Sequence, residues 1–574
     1  MRNRLSFVPL SCLMLFALAG CSASTSNTPV ASDDPFQQAE ENLSPLNTQC
    51  TFVVASGLMT VNVAAGETAI ISRRAADSAI LQNGQSCDNL ATSSTLKKLV
   101  VTGAAGGSKT VILDFTNGLF GVGTSSTATT GIDVNLGAST GDTLGIRGTS
   151  AADNIAYGAS GVNLNNDTFK DVTLAGVETH VVYLGDGADT FTAAGGTAIG
   201  GAFATALTVY GGAGADLFNQ GTAATASETI YGGADTDTVS YAQRSAVLTV
   251  TVGATGTGDG VTGEADDIKT DVEIVTGGSA NDTMTAATGV AAIFNGGAGD
   301  DTLIGDTGAD TLNGDAGNDT LRGAGGNDIL NGGDGNDTFD EETASNGGDV
   351  FNGGNGTDTL DYSQRAAGVT VTMDGTAAND GMTGSTSEGD NCKADVENIL
   401  GTAFVDNITG NALNNTITGD AGNDILGGGA GDDVFLSLTT ADGADTISGG
   451  TGVDTIDYSN RTTAVTVTLN GTSPSGEPAD ATATPPVLAE ADLLATDMEN
   501  VIGTAFDDTI TGNANANELV GGVGDDHLNG LAGDDVLEGG GLAEVNVLDC
   551  GAGDGDIGFG EGTGTGASRT GCEF

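Results

Sequence analysis

The residues best suited to chemistry in this chain are aspartates at a fixed interval. Asp301, Asp310, Asp319, Asp328 and Asp337 stand nine residues apart, with no insertion or deletion between them. Glycines keep the same period. Gly296, Gly305, Gly314, Gly323 and Gly332 open the nonapeptides, and Gly299, Gly308, Gly317, Gly326 and Gly335 hold the fourth place. Leu303, Leu312, Leu321, Leu330 and Phe339 hold the eighth. Carboxylates and backbone carbonyls are the oxygen ligands that Ca²⁺ gathers in sets of six to eight. Softer metals would ask for Cys or His, and His180 and His527 are the only histidines.

Nine residues suffice for a turn and a short strand. Glycine allows the tight bend. The last three residues alternate out, in, out, and the inward one is apolar. One such strand cannot bury itself, so copies must stack into a thin continuous core. Stacked strands lie about 4.8 Å apart. Two carboxylates at that spacing repel by roughly 1 kcal/mol in water and by about 3 kcal/mol at an effective dielectric of 20. A column of them needs a cation between its members.

The run Gly296–Asp340 resembles the glycine-rich nonapeptide of the RTX, or haemolysin-type, calcium-binding family. The resemblance implies an all-β fold, a parallel β-roll or β-helix solenoid, with Ca²⁺ as cofactor. It implies two units per coil, so that Asp301, Asp319 and Asp337 line one edge and Asp310 and Asp328 the other. The ten glycines and five aspartates above are the expected metal-site residues, joined by Asp358, Asp424, Asp433, Asp445, Asp454, Asp526 and Asp535 at sixth places further on. Affinity is expected in the range of extracellular modules, about 10⁻⁴ to 10⁻³ M. Folding is expected to couple to the ion, since no site is preformed in the unfolded chain.

The flanking sequence divides into segments. Residues 1–20 read as a lipoprotein signal: Arg2 and Arg4, an apolar run, then Leu18-Ala19-Gly20-Cys21. The tetrapeptide resembles the bacterial lipobox, which marks Cys21 for lipidation and implies a membrane anchor. Ser22 after it resembles lipoproteins sorted to the outer membrane. Residues 21–49 read as a flexible tether. Residues 50–180 carry short apolar runs between Gly, Asn and Ser and read as β structure, sandwich or solenoid, serving as an amino-terminal cap or head. Cys50 and Cys87 are expected to pair in an oxidising compartment, and His180 to be packed rather than catalytic.

Residues 181–295 hold degenerate nonapeptides around Asp189, Asp216, Asp237 and Asp282. They are expected to coil, but calcium is not assigned to them, because isolated units lack a stacked partner in phase. The stronger repeats are 296–361, 401–457 and 503–574. Between them, at 362–400 and 458–502, lie longer coils. There Tyr241-Ala-Gln-Arg244 recurs as Tyr362-Ser-Gln-Arg365 and Tyr458-Ser-Asn-Arg461, and Asp271-Val-Glu273 as Asp395-Val-Glu397 and Asp497-Met-Glu499. Each arginine is expected to pair with a local carboxylate such as Asp361 or Asp457. Phe404, Leu413 and Phe506 replace fourth-place glycines, and Asn415 and Asn517 replace aspartates. Those units read as hydrophobic plugs without calcium. Cys550 and Cys572 are placed to bridge adjacent coils, which leaves Cys392 over.

Charge narrows the function. The chain has 574 residues, 77 acidic against 16 basic, for a net charge of −61. Such a field disfavours nucleic acid, whose phosphates need basic patches. There is no HExxH or GxSxG motif. The expected protein is a non-enzymatic, extracytoplasmic, lipid-anchored calcium binder with a structural, adhesive or surface role, and a cell-surface glycan or protein as candidate partner. The alternative is a hydrolase or polysaccharide-modifying enzyme with its catalysis in 50–180. Many RTX proteins leave the cell on a carboxyl-terminal signal, and the amino-terminal signal here departs from that pattern.

Overall fold

The structure is a computed structural model. It describes residues 34–37 and 49–572, except 89, 121–130, 166, 255–257, 288, 290, 377–379, 383–387, 478–489, 541–544, 554 and 561–566. The expected signal, Cys21 and most of the tether lie outside the described residues.

Parallel pairing between successive coils builds a solenoid along the chain. Thr311-Leu312-Asn313 of one coil pairs with Ile329-Leu330-Asn331 of the next, and Thr302-Leu303-Ile304 with Thr320-Leu321-Arg322. Each pairing joins residues two nonapeptides apart, so two units make one coil. Strands such as Thr302–Ile304 and Thr320–Arg322 have three residues, with only the middle one buried. Leu303, Leu312, Leu321, Leu330 and Phe339 are fully enclosed and form the thin core between the faces. Outside, Asn295, Asn313, Asn331 and Asn352 link amide to amide along the axis at 2.7–2.8 Å, a ladder that identical stacked side chains make naturally.

Residues 50–180 take the solenoid option. Met59 faces Leu99, and Leu99 faces Ile132, in parallel register. Their strands are longer, as in Thr110–Asp114 and Thr179–Asp186. They belong to the same sheets as the first nonapeptide coils: among the described residues a 16-stranded sheet runs from Gln49–Val53 to Asn391–Cys392. A disulfide joins Cys50 to Cys87 at the start and another joins Cys550 to Cys572 at the end, while Cys392 is free and buried. His180 is packed, edge-on to Tyr157 and Phe203.

The longer coils are joints where one face is exchanged. At the first, the sheet containing Thr68–Arg73 ends on Asp267–Ile268, and a new one opens at Leu248–Val252. At the second, the sixteen-stranded sheet ends on Asn391–Cys392, and a new one opens at Val369–Thr372. At the third, that sheet ends on Leu493–Leu494 and Thr466–Thr468 opens the last. The arginines of the joints are buried and do pair with carboxylates, but not with Asp361 or Asp457. Arg244 pairs with Glu264 at 2.8 Å, Arg365 with Glu341 and with Glu388 at 2.9 Å, and Arg461 with Glu490 and with Asp442 at 2.5 Å. Asp361 and Asp457 are outward members of their strands, and the guanidinium turns inward, where desolvated carboxylates gain most from it.

Candidate metal centre

The sixth-place aspartate sits where turn becomes strand, so its carboxylate points along the stack of turns. One oxygen knits the coils. Asp301 N–H donates to Asp319 Oδ1 at 2.7 Å, Asp319 to Asp337 at 2.8 Å, and Asp337 to Asp358 at 2.9 Å. On the opposite edge Asp310 donates to Asp328, and Asp328 to Asp349, each at 2.8 Å. The stacking therefore places Asp301, Asp319 and Asp337 on one edge and Asp310 and Asp328 on the other.

The second oxygen has no donor. Oδ2 of Asp301, Asp319, Asp328, Asp337 and Asp358 is buried without a hydrogen bond. Each lies against the first glycine of its own turn. A Cβ on Gly314 would collide with Asp319 Oδ2 and stand 2.5 Å from the carbonyl oxygen of Gly332, one coil on. Gly296, Gly305, Gly323 and Gly332 are crowded by their aspartates in the same way. The fourth-place glycines serve differently: Gly317 and Gly335 have φ of 141° and 143°, which L side chains rarely adopt. A side chain at the first place would displace the carboxylate; one at the fourth would strain the turn.

Carboxylate and carbonyl oxygens thus converge with no hydrogen between them. A buried acceptor left unsatisfied costs about 1–3 kcal/mol, more when charged. Burial, with neighbouring carboxylates adding to it, pushes Asp301 and Asp328 up to about 7. Burial also raises Asp319, Asp337 and Asp358 to about 6 and Asp424 to about 8. Among the described residues no three His, Cys, Asp or Glu side chains gather around one point; the donors are one carboxylate per turn plus main-chain oxygens. An oxygen-only set suits a hard divalent ion, and Ca²⁺ accepts carbonyl ligands and loose geometry. The residues present fit that ion, which would supply the positive charge that these oxygens lack.

Other expected residues fall into the same columns. Asp424, Asp433, Asp454 and Asp535 each keep a donorless Oδ2. Asp445 accepts from Asp424 N–H, and Asp526 from Asp508 N–H. Asp310 departs from the expectation, because its Oδ2 accepts Asp306 N–H at 2.8 Å. The degenerate units do have stacked partners: Asp189 donates to Asp216 Oδ1 and Asp216 to Asp237 Oδ1, both at 2.8 Å. Their Oδ2 atoms lack donors, and burial lifts all three to about 7. Unequal coil lengths hid this, since loops absorb the extra residues while the turns stay aligned. Asp349 and Asp556 were missed altogether and have the same geometry. The signal for Asp349 was the following Val350-Phe351, the out-in pair of a strand.

Phe404, Leu413 and Phe506 plug nothing; they are 46%, 40% and 42% exposed. A fourth-place side chain points away from the stack into solvent.

Comparison with known sequences agrees with the geometry. A family model described as RTX calcium-binding nonapeptide repeat (4 copies) matches residues 293–321, 304–339, 343–363, 400–435, 437–459, 496–528 and 511–541. No curated protein matches the chain. The repeats within residues 293–541 belong to the RTX calcium-binding nonapeptide family, and the ion they bind is calcium.

Proposed function

We propose that the chain is a non-enzymatic, lipid-anchored extracytoplasmic protein. Its calcium-loaded roll acts as a stiff spacer or adhesive surface, and the ions sit at the donorless sixth-place carboxylates. The observation that carries this reading is the column itself: successive buried Oδ2 atoms face carbonyls along a solenoid too thin to hold a large core. Extracytoplasmic calcium is abundant enough for weak sites to fill. The two disulfides suit an oxidising compartment, and the Leu18–Cys21 tetrapeptide supplies the anchor. Binding to a cell-surface glycan or protein follows from a long, regular polar face rather than from a pocket.

The test has two arms. Full-length protein is titrated with calcium under circular dichroism, and the gain of β signal is expected to track ion uptake. Cells carrying wild type or Cys21→Ala are fractionated, and the variant is expected to leave the membrane. A soluble wild type would overturn the anchor, a β signal that does not grow on adding calcium would overturn the coupling, and hydrolysis of a glycan or peptide by the full chain would favour an enzyme.

A further inference from the structure

The carboxylate columns have ends, and the ends are built from protein donors. Each column opens on an aspartate whose Oδ2 is taken by an N–H of its own turn. Gly278 donates to Asp282 at 2.8 Å, Asp306 to Asp310 at 2.8 Å, Thr402 to Asp406 at 2.6 Å, and Thr504 to Asp508 at 2.6 Å. At each joint a column closes on a carboxylate held by a buried tyrosine hydroxyl. Tyr241 donates to Asp266 Oδ2 at 3.1 Å, Tyr362 to Asp390 at 3.0 Å, and Tyr458 to Asp492 at 2.9 Å. The Oδ1 atoms of these three still accept the N–H of the preceding coil, from Glu228, Asp349 and Asp445. The closing residue is thus a full member of its column whose cation-facing oxygen has been given a hydrogen instead.

The edge that runs on through the second and third joints is interrupted as well. After Asp358 come Glu397 and then Asn415; after Asp454 come Glu499 and then Asn517. The amide of Asn415 donates to the carbonyl of Glu397 at 3.0 Å, and that of Asn517 to Glu499 at 2.9 Å. Asn411 and Asn513 reach the carbonyls of Val396 and Met498, each at 2.8 Å. These carbonyls belong to the coil that stacks beneath, where a cation would otherwise draw on main-chain oxygens. On the far side of Glu397 and Glu499 the amides satisfy the carbonyl side of the ligand set without metal, while Asp395 and Asp497, on the Asp358 and Asp454 side, keep a donorless Oδ1 each.

We propose that the tyrosine and the asparagine pair of the joints stand in for calcium, so that the roll loads as separate short ladders rather than one continuous column. The idea rests on calcium occupying the donorless carboxylates between the joints. A column of like charges and bound ions that ran unbroken would bind or fail as a whole; stops of this kind divide it.

The experiment counts ions on the full-length chain by elemental analysis after dialysis against calcium. Asn415→Asp and Asn517→Asp restore a carboxylate and remove two amide donors each without changing volume. The double variant is expected to hold about two more ions than wild type. Tyr362→Phe leaves Asp390 Oδ2 without a donor. The same count on Tyr362→Phe is expected to give about one more ion than wild type, taken up at Asp390, whereas a purely packing tyrosine would leave the count unchanged. An unchanged ion count in the double variant or in Tyr362→Phe, or an ion seen at Asp390 or Asn415 of wild type by anomalous scattering, would overturn the proposal. A wild type that takes up no calcium would instead overturn the calcium assignment.

Discussion

The coil around Lys109 and the ladder around Asp319 follow one hydrogen-bonding rule with two sources of positive charge. In the first, Lys109 N–H donates to Asp142 Oδ1 at 2.8 Å, just as Asp301 donates to Asp319. There the Lys109 ammonium, fully buried, stands 3.4 Å from both Asp142 oxygens. Asp319 has no such neighbour. The one basic residue between 296 and 340 is Arg322, which faces outward to Asp340 and Glu342. Residues 50–180 carry their cations in covalent form and pack longer strands. The nonapeptide roll buries one apolar side chain per short strand and imports its charge. With the ions placed as proposed, dependence on metal becomes a local property of a continuous solenoid, set by whether a lysine, as at Asp142, or an ion faces the carboxylate.

Chelation should separate the two regions by the widest margin. At calcium a hundredfold above its dissociation constant, each ion contributes about 2.7 kcal/mol, and a run of them exceeds any single packing contact. Hydrogen exchange with and without chelator is expected to show 296–361 and 419–457 losing protection while 58–115 keeps it. Equal loss in both regions would erase the contrast. Next in size are two substitutions that cross. Lys109→Met leaves Asp142 buried and unpaired, a loss of about 3–5 kcal/mol that calcium should not repair. Asp319→Asn keeps the shape and removes one ligand, so it should cost about 2–3 kcal/mol in saturating calcium and little in chelator. Melting curves of both variants in both buffers give the four values needed.

Acidity offers a smaller, graded version of the same test. Burial raises Asp301, Asp319, Asp328 and Asp337 in the folded roll from about 4 to about 6 or 7. The ion-free folded roll therefore holds protons more tightly than the unfolded chain. The stability this brings is complete below about pH 4 and is lost as pH rises through about 6 to 7. Calcium requires the deprotonated form, so its contribution runs the other way. Melting temperatures of the full chain against pH should fall in chelator over that window and rise in calcium, and the two curves should cross. Parallel curves would mean that the carboxylates face neither proton nor ion.

How much of this was legible in the sequence follows from what kept period. The inward Leu303 and Leu312 could be counted off, because each position repeats without insertion; the coil of two nonapeptides, and with it the column through Asp301, Asp319 and Asp337, came from the resemblance to the RTX family, and the parallel register bears it out. The column through Asp189, Asp216 and Asp237 could not be counted off, because parallel pairing fixes only where strands align and leaves loop length free. Residues 50–180 lost the period altogether, so sandwich and solenoid looked alike; their longer strands still stack in register. The partners of Arg365 and Arg461 come from other coils, Glu341 and Glu388 or Asp442 and Glu490, and no local spacing points to them. Tyr362 looked like a repeat marker, and only its hydroxyl on Asp390 shows what it marks.

The smallest effect is expected at the turns that the sequence made look like hydrophobic plugs. A phenylalanine in place of a turn glycine reads as a wedge, because the same residue in a globular core would be buried. A solenoid turn has no interior on its outer side. Phe404 and Phe506 project into solvent while their own main chains keep the stack: the Phe404 carbonyl still crowds Gly422 in the next coil. Thr402 and Thr504, not the phenylalanines, hold these turns, through their N–H groups on Asp406 and Asp508 and their hydroxyls on the same carboxylates at 3.0 Å. Phe404→Ser and Phe506→Ser should therefore shift stability by no more than about 0.5 kcal/mol, the usual range for surface changes, with calcium or without it. Thr402→Val keeps the N–H but removes the hydroxyl, and should cost about 1 kcal/mol. If the phenylalanine variants melt lower than the threonine variant, the apolar side chains have a partner surface, and the outward reading of the fourth place is wrong for these turns.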